Sequence, residues 1–333
     1  MSDPDLRIGT FRYDTTQPLL DGETKPQGFT AEFSSAATIP EIFGRMLRDR
    51  EYDVSELGWT FYLRTLELDE PPFLALPIFP NHVFRHSAIF VNVDSGIDEP
   101  GDLAGKTIGE FGTYGQDSGV WAKGLLSDEY GYSPGQSRWV IGGLNAPMKP
   151  FDFTDLLHPA GVDVTEAQAD KSLSELLETG EIDALISANT PQCFLDDSPR
   201  VRRLFPDSEP LARDYYRRTG IFPMMHLVVI RRDVVARNPE LTRAVYECFL
   251  DAKNAAMAKY ENARRTFQVQ TMPPFVFELF EKNRRLFGDD WYPYGVAKNR
   301  NAIEAFHRYH YEQGLSTRHL SIEDVFAPDL LDT

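Results

Sequence analysis

Arg85-His86-Ser87-Ala88-Ile89-Phe90-Val91-Asn92 and Met225-His226-Leu227-Val228-Val229-Ile230-Arg231-Arg232 are the two segments of this chain most alike in design. Each begins beside a histidine and continues as a short, largely β-branched apolar run with polar residues on either side. Such runs read as buried strands. Between them strands and helices alternate: a turn at 102–105 leading into a strand, a helix over 118–130, a strand over 137–141, a helix over 173–178 and a strand over 182–188. Ahead of them the alternation is the same, with strands over 6–10, 29–33 and 52–57 and a helix over 39–47. Beyond residue 232 helices dominate, the clearest over 302–312 and stopped by Gly314.

Alternating strands and helices imply largely parallel sheets covered by helices. The pattern predicts an α/β protein of two lobes with a ligand cleft between them. Residues 1–93 and 224–333 would form one lobe, and 94–223 the other, inserted between the two strands that cross over.

Composition narrows the function. The 333 residues carry 34 basic and 51 acidic side chains, a formal net charge of −17. That surface repels phosphate backbones and anionic lipid heads, so neither nucleic acid nor membrane is an expected partner. No apolar run approaches the length that spans a bilayer. Two separated cysteines, Cys193 and Cys248, point away from a disulfide framework. The opening Met1-Ser2-Asp3-Pro4-Asp5-Leu6 lacks the pattern of an export signal, so a cytoplasmic location is expected.

If both crossing segments line one cleft, His86 and His226 become neighbours in space, and an imidazole there can give or take a proton near neutral pH. Each could equally cap a strand end. Arg85 offers a two-pronged fork for a carboxylate. Loops after parallel strands are the usual ligand contacts in open α/β sheets. Here they are 10–13, with Arg12 and Tyr13; 56–60, with Glu56 and Trp59; and 112–116, with Tyr114 and Gln116. Asn189, just past the strand over 182–188, joins the substrate-binding set. Phe11, Tyr13, Trp59, Tyr114 and Trp121 are compatible with stacking on a ring, or with a core. Cys193 reads as a buried structural residue.

No metal signature appears. His82 and His86 on an extended segment would stand about 13 Å apart, too far for one ion. His307 and His310 read as a solvated helix face. Phosphate-binding glycine motifs are absent.

Several motifs together carry a resemblance. Tyr13-Asp14-Thr15, Leu20-Asp21-Gly22, the whole of 85–92, Asp102-Leu103-Ala104-Gly105-Lys106 and Val120-Trp121-Ala122-Lys123-Gly124 occur in this order. Phe222-Pro223-Met224-Met225-His226, Tyr294-Gly295-Val296, Glu312-Gln313-Gly314-Leu315 and Phe326-Ala327-Pro328 follow. The set resembles the 4,5-dihydroxyphthalate decarboxylase family along nearly the whole chain. The resemblance implies a type II periplasmic-binding-protein-like fold, a small aromatic acid as substrate, and decarboxylation without an organic cofactor, a divalent metal being left open. Self-association into a homo-oligomer is compatible with it.

Losing CO2 directly from an aromatic ring would leave an aryl carbanion, so the ring carbon must be protonated first. That chemistry assigns the acid to His226 or His86, the carboxylate grip to Arg85, and the substrate's hydroxyl hydrogen bond to Glu56. The alternative is a solute-binding protein of the same fold that releases an aromatic acid unchanged, or another enzyme built on that fold.

Overall fold

The computed structural model describes residues 5–154, 159–268 and 272–333. The first four residues, on which the export reading partly rests, lie outside them. In chain order the strands are β1 (Leu6–Gly9), β2 (Ala31–Ser34), β3 (Val54–Gly58), β4 (Phe73–Leu76), β5 (Ile89–Asn92) and β6 (Thr107–Phe111). They continue with β7 (Arg138–Gly142), β8 (Asp163–Glu166), β9 (Ala184–Ile186), β10 (Val201–Arg203) and β11 (His226–Arg231).

Two mixed sheets result, the first in the order β2-β1-β3-β11-β4 and the second in the order β10-β5-β9-β6-β7-β8. In the first, β1 pairs in parallel with β2 and β3, while β11 runs antiparallel between β3 and β4. In the second, β9, β6, β7 and β8 pair in parallel, and β5 runs antiparallel to both of its neighbours, β9 and β10. The antiparallel strands β5 and β11 follow the two passages of the chain between sheets. Every residue of β3 is buried, as is β11 up to Arg231, which explains why both read as unbroken apolar runs.

The two segments that look alike in sequence are not structural equivalents. Residues 226–231 form a strand of the first sheet. Residues 86–88 form a single 3-10 turn, and 89–92 pair with β9 and β10 in the second sheet. The sequence reading grouped 1–93 with the first lobe; the pairing of β5 puts the first passage ahead of residue 89.

The sheets share one hydrophobic core, in which Val54 and Leu57 belong to the same cluster as Ile108, Trp139, Ile141 and Ile186. Polar bonds stitch the junction. Trp121 Nε1 donates to Met224 O at 2.8 Å, and Arg64 Nη2 donates to Tyr114 O at 2.9 Å. The helix Asp117–Tyr130, ended by Gly131 in the left-handed region at φ 69°, packs against the C-terminal helix Arg300–Glu312. Gly124 admits the Tyr309 ring at that crossing, where a β-carbon would collide with it. Among the described residues no helix is long and apolar enough to cross a membrane.

Candidate active site

Strand register assembles the site. Parallel pairing of Gly9 with Ser55 sets the loop after β1 beside Glu56 on β3. Antiparallel pairing of His226 with Gly58 puts that histidine diagonally across from Glu56 on the same face. His226 Nδ1–H donates to Glu56 Oε1 at 2.7 Å, and the Tyr13 hydroxyl donates to the same oxygen at 2.8 Å. Phe11 N and Thr10 Oγ1 donate to Glu56 Oε2 at 2.8 and 3.2 Å.

Glu56 is fully buried, and four donors fill its acceptor positions, as suits an ionised carboxylate. Its charge therefore fixes the imidazole with the proton on Nδ1. His226 Nε2 has no protein partner among the described residues and is not sealed from solvent. The Phe43 ring meets the imidazole edge-on at 5.1 Å. Burial and the Glu56 charge push the Tyr13 phenol well above its ordinary range, so it remains a donor at neutral pH.

Asp117, the first residue of its helix, faces His226 from the second lobe. Thr60 N donates to its Oδ1 at 2.7 Å, and among the described residues no donor lies within hydrogen-bond distance of its Oδ2, which is not sealed from solvent. Burial pushes this carboxyl up to about 6, opposed by His226, the Thr60 amide and Arg85. Arg85 lies alongside, its Nε 3.1 Å from Met225 Sδ and its Nη1 3.5 Å from Ala188 O. Burial brings the guanidinium down to about 10, which leaves it cationic at neutral pH. Among the described residues no carboxylate reaches Arg85 within ion-pair distance.

Behind the site, Lys123 Nζ and Glu110 Oε2 pair at 2.6 Å with both side chains fully buried. Glu110 Oε1 accepts from Gly115 N at 2.9 Å, and Lys123 Nζ sits 3.6 Å from the Tyr114 ring centre. This pair braces loop 112–116, which turns on Gly112 and Gly115 at positive φ.

The structure brings together Glu56, His226, Tyr13 and Arg85 of the expected residues, and separates the rest. His86 is not beside His226. Its ring lies 5.9 Å from Phe205 and 5.6 Å from Tyr215, and burial pushes it down to about 4. Arg12 pairs with Asp21 on the surface at 3.2 Å. Trp59 starts a helix instead of extending a loop, and stacks in the core on Phe306 and Phe79 at 4.6 and 5.6 Å. Tyr114 is buried against Trp139 and Lys123.

Gln116 precedes the helix of Asp117, and its Nε2 is enclosed without a partner. Asn189 is exposed, and its backbone N donates to Ser187 Oγ. His307 and His310 are not a solvated face: they bond Leu320 O and Thr60 Oγ1 in the interior, both at 3.1 Å. Glu56 has no lone pair left for a substrate hydroxyl, against the role expected for it. Asp117 was missed, because a single acid in a helix first turn is ordinary in sequence. Among the described residues no group of three His, Cys, Asp or Glu is placed to hold a metal ion.

No family model matches the sequence. A 4,5-dihydroxyphthalate decarboxylase from Comamonas testosteroni is 33% identical over 333 residues, covering 100% of this chain and 99% of its own. One from Pseudomonas putida is 34% identical over 217 residues, 65% of this chain and 83% of its own. Among solved structures, the alkanesulfonate-binding protein SsuA from Xanthomonas axonopodis pv. citri matches with a TM-score of 0.54 and 15% identity, over 98% of this chain and 99% of that one. The periplasmic aliphatic sulphonate binding protein SsuA from Escherichia coli matches with a TM-score of 0.51 and 13% identity, over 100% of both. These structures bear out the two-lobed periplasmic-binding fold expected from the sequence, and speak to the fold alone.

Proposed function

This chain belongs to the 4,5-dihydroxyphthalate decarboxylase family, and from that premise we propose that it releases CO2 from a hydroxylated aromatic acid of the 4,5-dihydroxyphthalate kind. The observation that carries the reading at the level of residues is the Glu56–His226 pair, with Nδ1 held at 2.7 Å and Nε2 left open.

His226, protonated on both nitrogens, gives its Nε2 proton to the ring carbon that bears the departing carboxylate. A hydroxyl para to that carbon supplies the electron density. The C–C bonding pair then returns to the ring as CO2 leaves, and His226 regains a proton from solvent. Glu56 touches no substrate in this scheme: it orients the imidazole by accepting from Nδ1–H. Arg85, buried without a carboxylate partner, holds Met225 Sδ and Ala188 O through Nε and Nη1 and has Nη2 left for the acid group. A cytoplasmic setting is proposed with this activity, in keeping with two buried cysteines that remain free thiols.

The test is incubation of the purified chain with 4,5-dihydroxyphthalate, before and after chelator treatment, following CO2 and the ring product by absorbance and chromatography. Appearance of a dihydroxybenzoate together with CO2 is expected. No release, with or without added divalent ions, would sink the reading.

A further inference from the structure

Charge balance raises a question that the decarboxylase reading leaves open. The groups facing Asp117 are His226 with Glu56 behind it, Arg85 from the passage ahead of β5, Arg64 from the helix Trp59–Thr65, and the Lys123–Glu110 pair beneath. Glu56 and Glu110 each have a bonded cationic partner or a full set of donors. Asp117 has neither: one oxygen accepts a single amide, and among the described residues no donor reaches the other. An ortho-dicarboxylate brings two negative charges into this hollow, and a buried unpaired carboxylate beside them is strongly disfavoured.

We propose that Asp117 takes up a proton when a dianionic aromatic acid binds and then donates its Oδ2–H to a carboxylate oxygen of that ligand, an inference that rests on the reading above. The site thus selects for ortho-dicarboxylates by pairing Arg85 with a neutral carboxylic acid as second donor. Geometry supports the assignment independently of acidity. Gly58 stands opposite His226 in register, and a β-carbon on it would lie 2.6 Å from Asp117 Oδ2. The absent side chain leaves the slot in which that oxygen reaches the imidazole side of the hollow. Asp117 is also poised to respond, since burial already holds it at about 6 before any ligand arrives.

The experiment is calorimetric titration of the full chain with phthalate, which lacks the hydroxyls that turnover requires, at pH 7 in buffers of different ionisation heat. About one proton taken up per phthalate is expected, with affinity falling by up to about tenfold per pH unit as pH rises. Asp117→Asn, whose amide donates without titrating, is expected to bind phthalate with no uptake and with the pH dependence gone. Uptake that persists in Asp117→Asn and disappears in His226→Gln would assign the proton to His226 and overturn the proposal. Absence of uptake in the unmodified protein, or absence of phthalate binding, overturns it without recourse to any variant. Proton-linked phthalate binding without CO2 release from 4,5-dihydroxyphthalate would remove the decarboxylase reading and leave the Asp117 assignment standing.

Discussion

His226 and Glu56 meet at 2.7 Å across β11 and β3, diagonal to each other in a register that pairs His226 with Gly58 and Val228 with Glu56. Strand pairing, not loop conformation, thus sets the direction in which Nε2 points. A site built on paired strands holds its geometry more rigidly than one built on loops.

Replacing His226 with Gln keeps a polar group near Glu56 but removes the acid. The kcat for CO2 release should fall roughly a hundred- to ten-thousand-fold, the usual range for a general acid. Unchanged turnover would exclude His226 from proton transfer.

Glu56→Gln leaves four donors converging on a neutral amide. We expect a loss of about 1–3 kcal/mol in stability, read by urea unfolding, together with a lowered kcat. Normal kcat in a destabilised Glu56→Gln protein would make Glu56 purely structural.

Arg85→Lys retains the charge and loses the two-pronged geometry. The expected result is a raised KM for 4,5-dihydroxyphthalate with a smaller change in kcat, because the lost contact is made in ground state and transition state alike. Steady-state kinetics decides it, and a fall in kcat alone would contradict this.

Burial holds His82, His86 and His307 down to about 3, 4 and 3. Unfolded, each would protonate near its ordinary value of about 6.5. The unfolded chain therefore binds more protons below that value, so these three groups favour the fold above it and lose that contribution as pH falls toward 4. Denaturant midpoints measured from pH 7 to pH 4 should drop steadily. His86→Phe should flatten the drop while CO2 release stays normal, since His86 stands outside the site. Loss of turnover in that variant would return His86 to the candidates.

Lys123→Met strips the partner from a fully buried carboxylate and should cost about 3–5 kcal/mol. Adding Glu110→Leu should recover part of the loss, as thermal unfolding would reveal. Failure of the double substitution to recover any of it would mean that the Glu110–Gly115 bond, not the ion pair, supports loop 112–116.

Much of the architecture was legible because apolar periodicity depends on local chain geometry. The helix Asp117–Tyr130 and the strand β7 lie within a residue of where spacing put them. What escaped depends on partners distant in sequence. Nothing local distinguishes β5 from β11, and only pairing assigns them to different sheets. Trp59 looks like a loop residue because it follows a strand, yet the helix it starts buries it against Phe306, some 250 residues on. Of two adjacent basic residues, Arg85 turns toward Met225 and His86 toward Tyr215, a choice made by the 3-10 turn and invisible to residue type.

The insertion of β11 between β3 and β4 has a temporal meaning as well. Strand β4 ends at Leu76 and β11 begins at His226, so the first sheet waits on 150 further residues before its gap can close. At roughly 5–20 residues per second, that is an interval of about 7 to 30 s on the ribosome. During it the second sheet, whose strands all lie between residues 89 and 203, has its full complement of chain. The strand that finally closes the gap is also the one that delivers His226 to Glu56. The Glu56–His226 pair therefore cannot form before residue 226 has been made, which ties completion of the first sheet to completion of the proposed acid site.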